Sequence, residues 1–500
     1  MAHRLAPPLV CLAAALVCLS PVPQAQPRPA RAVWLWNPGP ALTDAASRAA
    51  FFQFLEREGI GRVWEQVGLD PGPSPRLSHE AQWRSLLADA HRRNVRIEAL
   101  DGDPTYALQA YHHVTLRVVD ALLAFNRAAA PQEQFDGLHL DIEPYLLIPW
   151  RFRVARETLL REYLDLMVEC QRRLYEFPGM EFGVDIPSWW QSIDERTGRP
   201  IADVAFQHTR KAASAHLIDR LDNVGIMNYR NVAEGGDGLI GHGTDLLAYA
   251  DQAKHARIWM GVETSRSTPS PVWFAVGLPS AEADRRLEGA TAGIGRDNRL
   301  DGYRVRLFDD GLNTHVGLSV PEAERDKPSK AFLTALVKLA SSLGVLAVPG
   351  ADNRAAVPLE QALRGFRHDR EWENAASTPI VDPLTRRTFP GVMATSIMLP
   401  KLTFAGLSKA VMQKELTAAE QVFSTHASYA GIAIHHYDSY RTIAEGPPSL
   451  ANVLSAWTSL PASCPDGVMP PGAITPGVLP HERGWARCSG RQGQRGAGIR

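Results

Sequence analysis

The chain has 500 residues, of which 45% are hydrophobic and 21% are charged. This composition is typical of a globular protein, and it excludes a chain that is disordered throughout, a fibrous repeat and a coiled coil. With 53 Lys and Arg against 54 Asp and Glu, the net charge is −1, so no cationic excess favours binding to nucleic acid or to an anionic membrane.

The first 25 residues have the pattern of a secretory signal. Residues 1–4 carry positive charge, residues 9–19 form an apolar run, and residues 20–25 are small and turn-prone. The apolar run is shorter than the roughly 20 residues that a membrane-spanning helix needs. We therefore predict a signal peptide over 1–25, cleavage near Ala25, and a secreted or periplasmic protein with no membrane association after cleavage.

Short β-rich runs alternate with helical patterns in the rest of the chain. The runs begin near Ala32, Gly61, Val95, Phe135, Glu181, Asn223, Arg257 and Tyr429. Helical patterns lie between them, for example at 45–58, 79–93 and 155–175. This alternation predicts an α/β fold, a (β/α)8 TIM barrel, in preference to an open doubly wound sheet, because no Gly-rich phosphate loop follows the first run.

The interval before the eighth run is too long for a barrel loop. We predict barrel strands one to seven within 26–265, an insertion over 266–400 after strand seven, and strand eight with closing helices over 401–460. The insertion has a helical pattern at 329–343 and a hairpin pattern at 303–320. It either walls the catalytic face, where loops after strands lie, or forms a remote structural lobe.

The last segment, 461–500, is rich in Pro, Gly and Arg. Its low apolar content predicts a mostly disordered tail. Cys464 and Cys488 fall in this segment and could pair in an oxidising compartment.

Two acids stand at the end of the predicted fourth strand, where residues 135–145 read FDGLHLDIEPY. Side chains alternate between the faces of a strand, so His139, Asp141 and Glu143 share the inner face of the barrel. Glu143 comes last and lies at the C-terminal end, where barrel enzymes hold their catalysts. Carboxyls two residues apart stand about 7 Å apart, so one retains a proton and its pKa rises. A glycosidase needs such a protonated acid beside an ionised one.

This stretch resembles the signature of glycoside hydrolase family 18, the chitinase-like barrels, in which strand four reads Asp-Gly-apolar-Asp/Asn-apolar-Asp-x-Glu. Asp136, Gly137, Asp141 and Glu143 match it. The resemblance implies an exported glycosidase that needs no cofactor and cleaves a polysaccharide or oligosaccharide. It implies that Glu143 is the general acid and that Asp141 assists the substrate or stabilises the intermediate. The Met-Asn-Tyr that ends at Tyr229 is similar to the family's Met-x-Tyr on strand six, which implies a hydroxyl contact to the reacting group.

Several positions depart from the family pattern. His139 replaces the middle acid, and Arg230 stands where the family often has Asp. The end of strand eight reads His435-His436-Tyr437, where the family carries a Trp under the sugar. These departures keep a non-catalytic carbohydrate-binding barrel open as the rival function.

A second mechanism is also consistent with the sequence. Glu143 and Glu263, at the ends of strands four and seven, resemble the acid/base and the nucleophile of the large retaining-glycosidase clan. Such carboxyls about 5 Å apart would form a glycosyl-enzyme intermediate. That clan usually has Asn where this chain has Ile142, so we favour assistance by Asp141.

Further polar and aromatic residues at strand ends complete the predicted site. Aromatic rings stack on sugars, and carboxylates accept hydrogen bonds from hydroxyls. Substrate contacts are predicted for Asp136, Trp34, Trp36, Glu65, Asp101, Asp185, Glu263, His436 and Tyr437; Asp103, Trp189 and Trp190 also follow strands.

The sequence contains no metal-binding motif. The pairs His112-His113 and His435-His436 are adjacent residues, and neighbours on a strand face opposite sides. No His-Glu-x-x-His or Gly-x-Ser-x-Gly pattern occurs. We therefore predict neither a metal nor another cofactor.

Overall fold

The computed structural model describes residues 30–266, 271–290, 293–309, 313–325, 327–344, 370–381 and 388–446. The predicted signal peptide and its cleavage site, the predicted tail over 461–500, and Cys464 and Cys488 lie outside these residues. Within the described part, no helix has the length and apolar character needed to cross a membrane.

Eight parallel strands close into a barrel, which confirms the predicted (β/α)8 fold. Each strand pairs with the next barrel strand in the chain, and the eighth pairs with the first. All C-terminal strand ends therefore meet at one rim, where barrel enzymes hold their active sites. The strands are β1 (Ala30–Leu35), β2 (Ile60–Gln66), β3 (Arg96–Asp101), β4 (Gly137–Leu140), β5 (Glu181–Pro187), β6 (Asn223–Met227), β7 (Arg257–Glu263) and β8 (Tyr429–His435).

Helices alternate with these strands and cover the outside of the barrel. The pattern predicted at 45–58 is present with the same bounds, and the neighbouring patterns differ by one or two residues at their ends. The helices are α1 (Gly39–Thr43), α2 (Ala45–Glu58), α3 (Glu80–His91), α4 (His112–Ala128), α5 (Arg153–Leu174), α6 (Ala213–Ile218), α7 (Leu239–Ala253), α8 (Ser280–Ala290), α9 (Lys330–Ser342), α10 (Lys409–Phe423) and α11 (Tyr437–Glu445).

The two faces of each barrel strand bury different groups. Outward residues such as Val33 and Leu138 belong to the core between strands and helices. Inward residues such as Trp34, Trp64 and Trp259 fill the barrel interior. Because adjacent residues face opposite sides, this division fixes which side chains reach the rim from inside.

The segment between β7 and β8 contains a second core. A six-stranded antiparallel sheet packs with α8 and α9, and the patterns predicted at 303–320 and 329–343 are a hairpin and a helix. The domain boundaries themselves stay a prediction. In spatial order the sheet contains Arg299–Leu300, Tyr303–Asp309, Asn313–Ser319, Pro271–Pro279, Thr388–Met398 and Arg370–Val381.

This segment packs against the loop that follows β4. Ile148, in that loop, is buried in the second core, and its amide donates to Asn298 Oδ1 at 2.6 Å. Arg151 donates to Asp309 and Asp284 from the same loop. These contacts place part of the segment beside the loop at the C-terminal end of β4.

Two short hairpins follow β5 and do not correspond to any element predicted from the sequence. They pair Ile193–Asp194 with Arg199–Pro200 and Asp203–Phe206 with Thr209–Ala212. Their strands are two to four residues long, which is too short for an alternating pattern to identify.

Candidate active site

The candidate site begins where β4 ends. Asp141 and Glu143 follow Leu140 at the C-terminal rim, and Ile142 between them is buried on the helix side. Gly102, just beyond β3, permits the close approach of the two chains, because a Cβ atom there would lie 1.9 Å from the Asp141 carbonyl oxygen. The alternation therefore directs Asp141 and Glu143 towards the barrel axis.

Asp141 lies among other acids in a confined space. Burial raises the pKa of Asp141 well above its ordinary value, and the negative charges of Glu143 and Asp185 raise it further. Its Oδ1 atom is buried without a hydrogen-bond partner among the described residues. Like charges repel strongly where water is scarce, so the acids retain a proton. We assign this proton to Asp141.

Tyr145 contacts Glu143 through a hydrogen bond from its hydroxyl to Oε1. Burial raises the pKa of Tyr145 well above its ordinary value, and the charge of Glu143 acts in the same direction. The hydroxyl therefore remains a donor. The Tyr145 ring packs edge-on against Trp189 and Trp150, with centroid separations of 5.3 and 6.3 Å. This aromatic packing orients the Tyr145 hydroxyl, which in turn orients Glu143.

Tyr229 approaches the same acids from the end of β6. Burial raises the pKa of Tyr229 well above its ordinary value, with the charges of Glu263 and Asp141 as the next contributions. Its ring centroid lies 6.1 Å from that of His435. Tyr229 therefore presents a neutral hydroxyl, which can donate a hydrogen bond within an acidic cluster.

A buried polar layer lies beneath the acids. Trp34 Nε1 donates to Asp185 Oδ2 at 2.8 Å, and His139 Nε2 lies 2.9 Å from Asp185 Oδ1 at an angle too poor for a regular hydrogen bond. The His139 ring stacks on Trp64 with centroids 4.0 Å apart. His139, which stands in place of an acid, therefore contacts Asp185 on the neighbouring strand.

Glu263 accepts four hydrogen bonds at the end of β7. Its Oε1 accepts from the Thr264 amide at 2.8 Å, and from the amide and hydroxyl of Ser265 at 2.7 and 2.9 Å. Its Oε2 lies 2.8 Å from His435 Nδ1. Burial alone would raise the pKa of Glu263, but the charge and hydrogen bond of His435 and the Ser265 bonds outweigh it and lower the pKa. Glu263 is therefore a fixed carboxylate.

His435 is bonded on both ring nitrogens. Besides the contact to Glu263, its Nε2 lies 3.0 Å from Trp36 Nε1. Trp36, the residue that follows β1, is partly exposed. The ends of β7, β8 and β1 are thereby joined at the rim by three side chains.

The structure brings five of the predicted residues into one cluster through the contacts and charges above: Asp141, Glu143, Asp185, Tyr229 and Glu263. Trp36 lies at its edge through His435. Trp34 and Asp185 are each 1% exposed and are hydrogen-bonded to each other beneath the acids, so a direct substrate contact fits the structure for neither residue.

Three further predicted substrate contacts do not fit the structure. Asp136 lies at the opposite end of the barrel, where its Oδ2 accepts from the Ile97 amide at 2.7 Å. Glu65 faces the helices, because the inner face of β2 carries Trp64, and the charge that acts on its pKa is Arg48 on α2. Tyr437 is 7% exposed, and its ring packs edge-on against Phe51 and Phe54 of α2.

The remaining residues lie around the rim. Asp101 shares the outward face of Ile97, and burial raises its pKa to about 6. Burial, with the charge of His435 as the next cause, lowers the pKa of His436 to about 4. Asp103 pairs with Arg304 of the segment between β7 and β8. Trp190 is fully buried, and Trp189 is half-buried beside Tyr145.

Tyr145 and His435 are the site residues missing from the sequence prediction. For His435 a signal exists: Gly431 and Ala433 alternate with the large residues Ile432 and Ile434 of β8, and counting in twos from them leads to His435 and not to His436. Small inward residues are expected where a barrel interior is filled by tryptophans from neighbouring strands. Tyr145 gives no such signal, because it lies in a 3-10 turn beyond the strand.

In the part of the chain that the structure describes, no group of three or more His, Cys, Asp or Glu side chains could hold a metal ion.

The sequence matches no protein-family model and no curated protein. Among solved structures it is similar to a family 18 chitinase from Cycas revoluta in complex with allosamidin (11% identity, 82% of this chain and 95% of that chain, TM-score 0.35). A chitinase from Bacteroides thetaiotaomicron gives 11% identity, coverage of 84% and 97%, and a TM-score of 0.34. The spore cortex-lytic enzyme SleL from Bacillus megaterium QM B1551 gives 12%, 65% and 70%, and 0.29. One of these neighbours belongs to family 18, the family whose signature the β4 motif resembles. The barrel assignment itself rests on the strand pairing of this chain.

Proposed function

We propose that the protein is a glycoside hydrolase that cleaves a polysaccharide or oligosaccharide, with Glu143 as the general acid. The observation that carries this proposal is the joint placement of Asp141 and Glu143 at the end of β4, where burial and the charges of Glu143 and Asp185 raise the pKa of Asp141. A pair of acids in different protonation states is what acid-catalysed glycoside cleavage requires.

In the proposed reaction, Glu143 first takes up the proton that the two acids retain, which leaves Asp141 as a carboxylate, and then transfers it to the glycosidic oxygen as the bond from that oxygen to the anomeric carbon breaks. Positive charge then develops on the sugar. Asp141 orients the substrate group that stabilises this charge, or stabilises the intermediate directly, and Tyr229 donates a hydrogen bond to the same group. Water completes the hydrolysis and returns the proton to Glu143.

The alternative with Glu263 as the nucleophile has less support. A nucleophile needs an oxygen lone pair directed at the anomeric carbon. Three hydrogen bonds from Thr264 and Ser265 hold Oε1 of Glu263, and His435 holds Oε2, so the carboxylate cannot turn towards a sugar without losing these bonds. This arrangement favours a role for Glu263 in orienting His435.

The test is digestion of a panel of acetylated and non-acetylated oligosaccharides by the wild type and by Glu143→Gln. General acid catalysis typically contributes 10²–10⁴-fold, so we expect release of reducing ends to fall by at least about 100-fold. Asp141→Asn should lose activity as well. Glu176→Gln, at an exposed position after α5, is the matched control and should cleave at the wild-type rate.

Equal activity of Glu143→Gln and wild type, with both proteins folded, would rule out Glu143 as the general acid. Binding of a saccharide by the wild type without cleavage over a wide pH range would instead support the non-catalytic carbohydrate-binding barrel. The departures from the family pattern at His139 and at the end of β8 are the reason to consider this rival function.

We also propose that the protein is exported, on the strength of the signal pattern in residues 1–25. Expression of the full chain in a bacterial host, followed by intact-mass measurement of the secreted or periplasmic fraction, should give a mature N-terminus near Ala25. A full-length chain confined to the cytoplasm would contradict the proposal.

A further inference from the structure

The hydrogen bond between Trp36 and His435 defines which tautomer of His435 is present. An indole N–H can only donate, so the His435 Nε2 atom, 3.0 Å from Trp36 Nε1, must be the acceptor and carries no proton. The ring proton is then on Nδ1, which donates to Glu263 Oε2 at 2.8 Å. In this arrangement His435 is a neutral ring in one orientation, the state that exists above its pKa; below that pKa it carries the charge that lowers the pKa of Glu263.

Glu263 cannot easily turn away from this bond, because its other oxygen accepts from the backbone and hydroxyl groups of Thr264 and Ser265. Aromatic rings enclose His435 as well. Its centroid lies 5.7 Å from that of Trp34 and 6.1 Å from that of Tyr229. Of the two partners of His435, only Trp36 is partly exposed, so Trp36 is the partner with room to move.

We propose that His435 is a positioning residue: in its neutral form it holds the Trp36 indole at the edge of the acid cluster as a stacking surface for the saccharide, and its protonation releases the indole and weakens saccharide binding. The saccharide part of this inference rests on the proposed function. The positioning part does not, because it concerns only the bond between the two side chains.

The physical basis is a change from an acceptor to a donor. A second proton on His435 must enter at Nε2, since Nδ1 already carries one. Two N–H groups would then face each other, and the bond to Trp36 would be lost. An aromatic ring without that bond keeps its area but loses its fixed orientation for stacking on a sugar face.

The charges around His435 determine where this change occurs. Burial lowers the pKa of His435, but the charge and hydrogen bond of Glu263 outweigh it, and the charges of Asp185 and Glu143 raise the pKa further. His436, the neighbouring ring, stays neutral because burial lowers its pKa to about 4. The bond from Trp36 acts against the rise, since it forms only with the neutral ring. The release is therefore expected on the acid side of a pKa above that of a free histidine.

The first experiment needs no ligand and uses 15N-labelled full-length protein in an NMR pH titration. At high pH the His435 Nε2 resonance should have the shift of an unprotonated nitrogen, and the Trp36 indole resonance, identified by its loss in Trp36→Phe, should move as His435 titrates. In His435→Gln, whose amide can still accept from Trp36 and donate to Glu263 without titrating, the indole resonance should be constant. A protonated Nε2 at high pH, or an indole resonance that ignores His435, would overturn the proposal.

The second experiment measures kcat and KM against pH on whichever panel oligosaccharide the wild type cleaves. In the wild type, KM should rise about threefold to tenfold as His435 becomes protonated, a range that corresponds to an aromatic stacking contact. His435→Gln should keep a KM that does not change over the same range. Identical KM profiles in both proteins would refute the coupling. Absence of cleavage by the wild type would overturn the proposed function and the binding step, while the NMR titration decides the positioning of Trp36 alone.

Discussion

Single side chains define the chemistry of the rim by controlling where protons reside. Asp141 retains a proton because it is buried and because the charges of Glu143 and Asp185 oppose its ionisation, whereas the charge and hydrogen bond of His435 and the Ser265 bonds outweigh burial and keep Glu263 ionised. Tyr145 and Tyr229 stay neutral because burial raises the pKa of each hydroxyl, and the neighbouring negative charges act in the same direction. The cluster therefore combines neutral donors and fixed anions within a few ångströms.

At this scale, Tyr145→Phe should slow the reaction without changing the fold. The substitution removes the hydroxyl that donates to Glu143 and keeps the ring that packs on Trp189. A hydrogen bond to an ionisable group contributes about 1.5–3 kcal/mol, so kcat is expected to fall about 10- to 100-fold.

Steady-state kinetics with the cleaved oligosaccharide measures this loss. Tyr249→Phe is the matched control. The Tyr249 hydroxyl, on α7, donates to Asp219 at the end of α6, away from the acid cluster. A Tyr145→Phe variant with wild-type kcat would show that Glu143 does not depend on this bond.

At the scale of elements, alternation along β4 allowed the sequence to predict the two acids correctly as a pair on the inner face. The same rule failed for Glu65, because both Val63 and Trp64 are apolar and a strand buried on both faces does not reveal which side is inside. On β4, polar residues mark the inner face in the sequence alone. On β2, the inner and outer faces can be assigned only after the surrounding helices have been placed.

The loop after β4 depends on a contact from another element. Asn298 accepts from the Ile148 amide at 2.6 Å and donates to the Leu146 carbonyl at 2.8 Å. Both partners lie a few residues beyond Glu143 and Tyr145, so the segment between β7 and β8 helps to hold the loop that carries the acid's hydrogen-bond donor.

Asn298→Gly should therefore reduce both stability and kcat. Asn298 has a φ of 59°, which glycine adopts without strain, so the loss reports mainly on the two side-chain hydrogen bonds. We expect about 1–3 kcal/mol in the free energy of unfolding and a measurable fall in kcat.

Urea denaturation and steady-state kinetics test both effects. Lys338→Ala provides the control, because it removes only an exposed pair with Asp301 inside the same segment, and exposed pairs contribute little. Unchanged kcat in Asn298→Gly, despite a loss of stability, would separate the loop contact from catalysis.

At the scale of the whole molecule, two cores built by different rules share one chain. The barrel joins strands that follow one another in the sequence, and its repeating pattern made the fold predictable. The antiparallel sheet pairs Pro271–Pro279 with Thr388–Met398 across more than a hundred residues, and no local pattern specifies such a partner. The sequence thus predicts the hairpin and the helix of this segment, but not the sheet that joins them.

The stability of the whole chain should fall with rising pH because of Glu65. Burial raises the pKa of Glu65 to about 8, against an ordinary value of 4.5, and neither of its carboxyl oxygens has a hydrogen-bond partner in the described part of the chain. Between these two values the native state keeps a proton that the unfolded chain has released. The free energy of unfolding should therefore decrease by about 1.4 kcal/mol per pH unit in this window and become independent of this group above it.

Glu65→Gln removes the titrating proton, so its free energy of unfolding should lose this part of the slope when urea denaturation is repeated at several pH values between 4.5 and about 8. Glu56→Gln, at an exposed position on the adjacent helix α2, should keep the wild-type slope. The proteins are compared by the pH slopes of their free energies of unfolding and not by the absolute free energies, because a buried amide without hydrogen-bond partners is itself destabilising. Parallel pH profiles for wild type and Glu65→Gln would mean that Glu65 is ionised in the native state, and that the carboxyl reaches water or a cation through a path between β2 and α2.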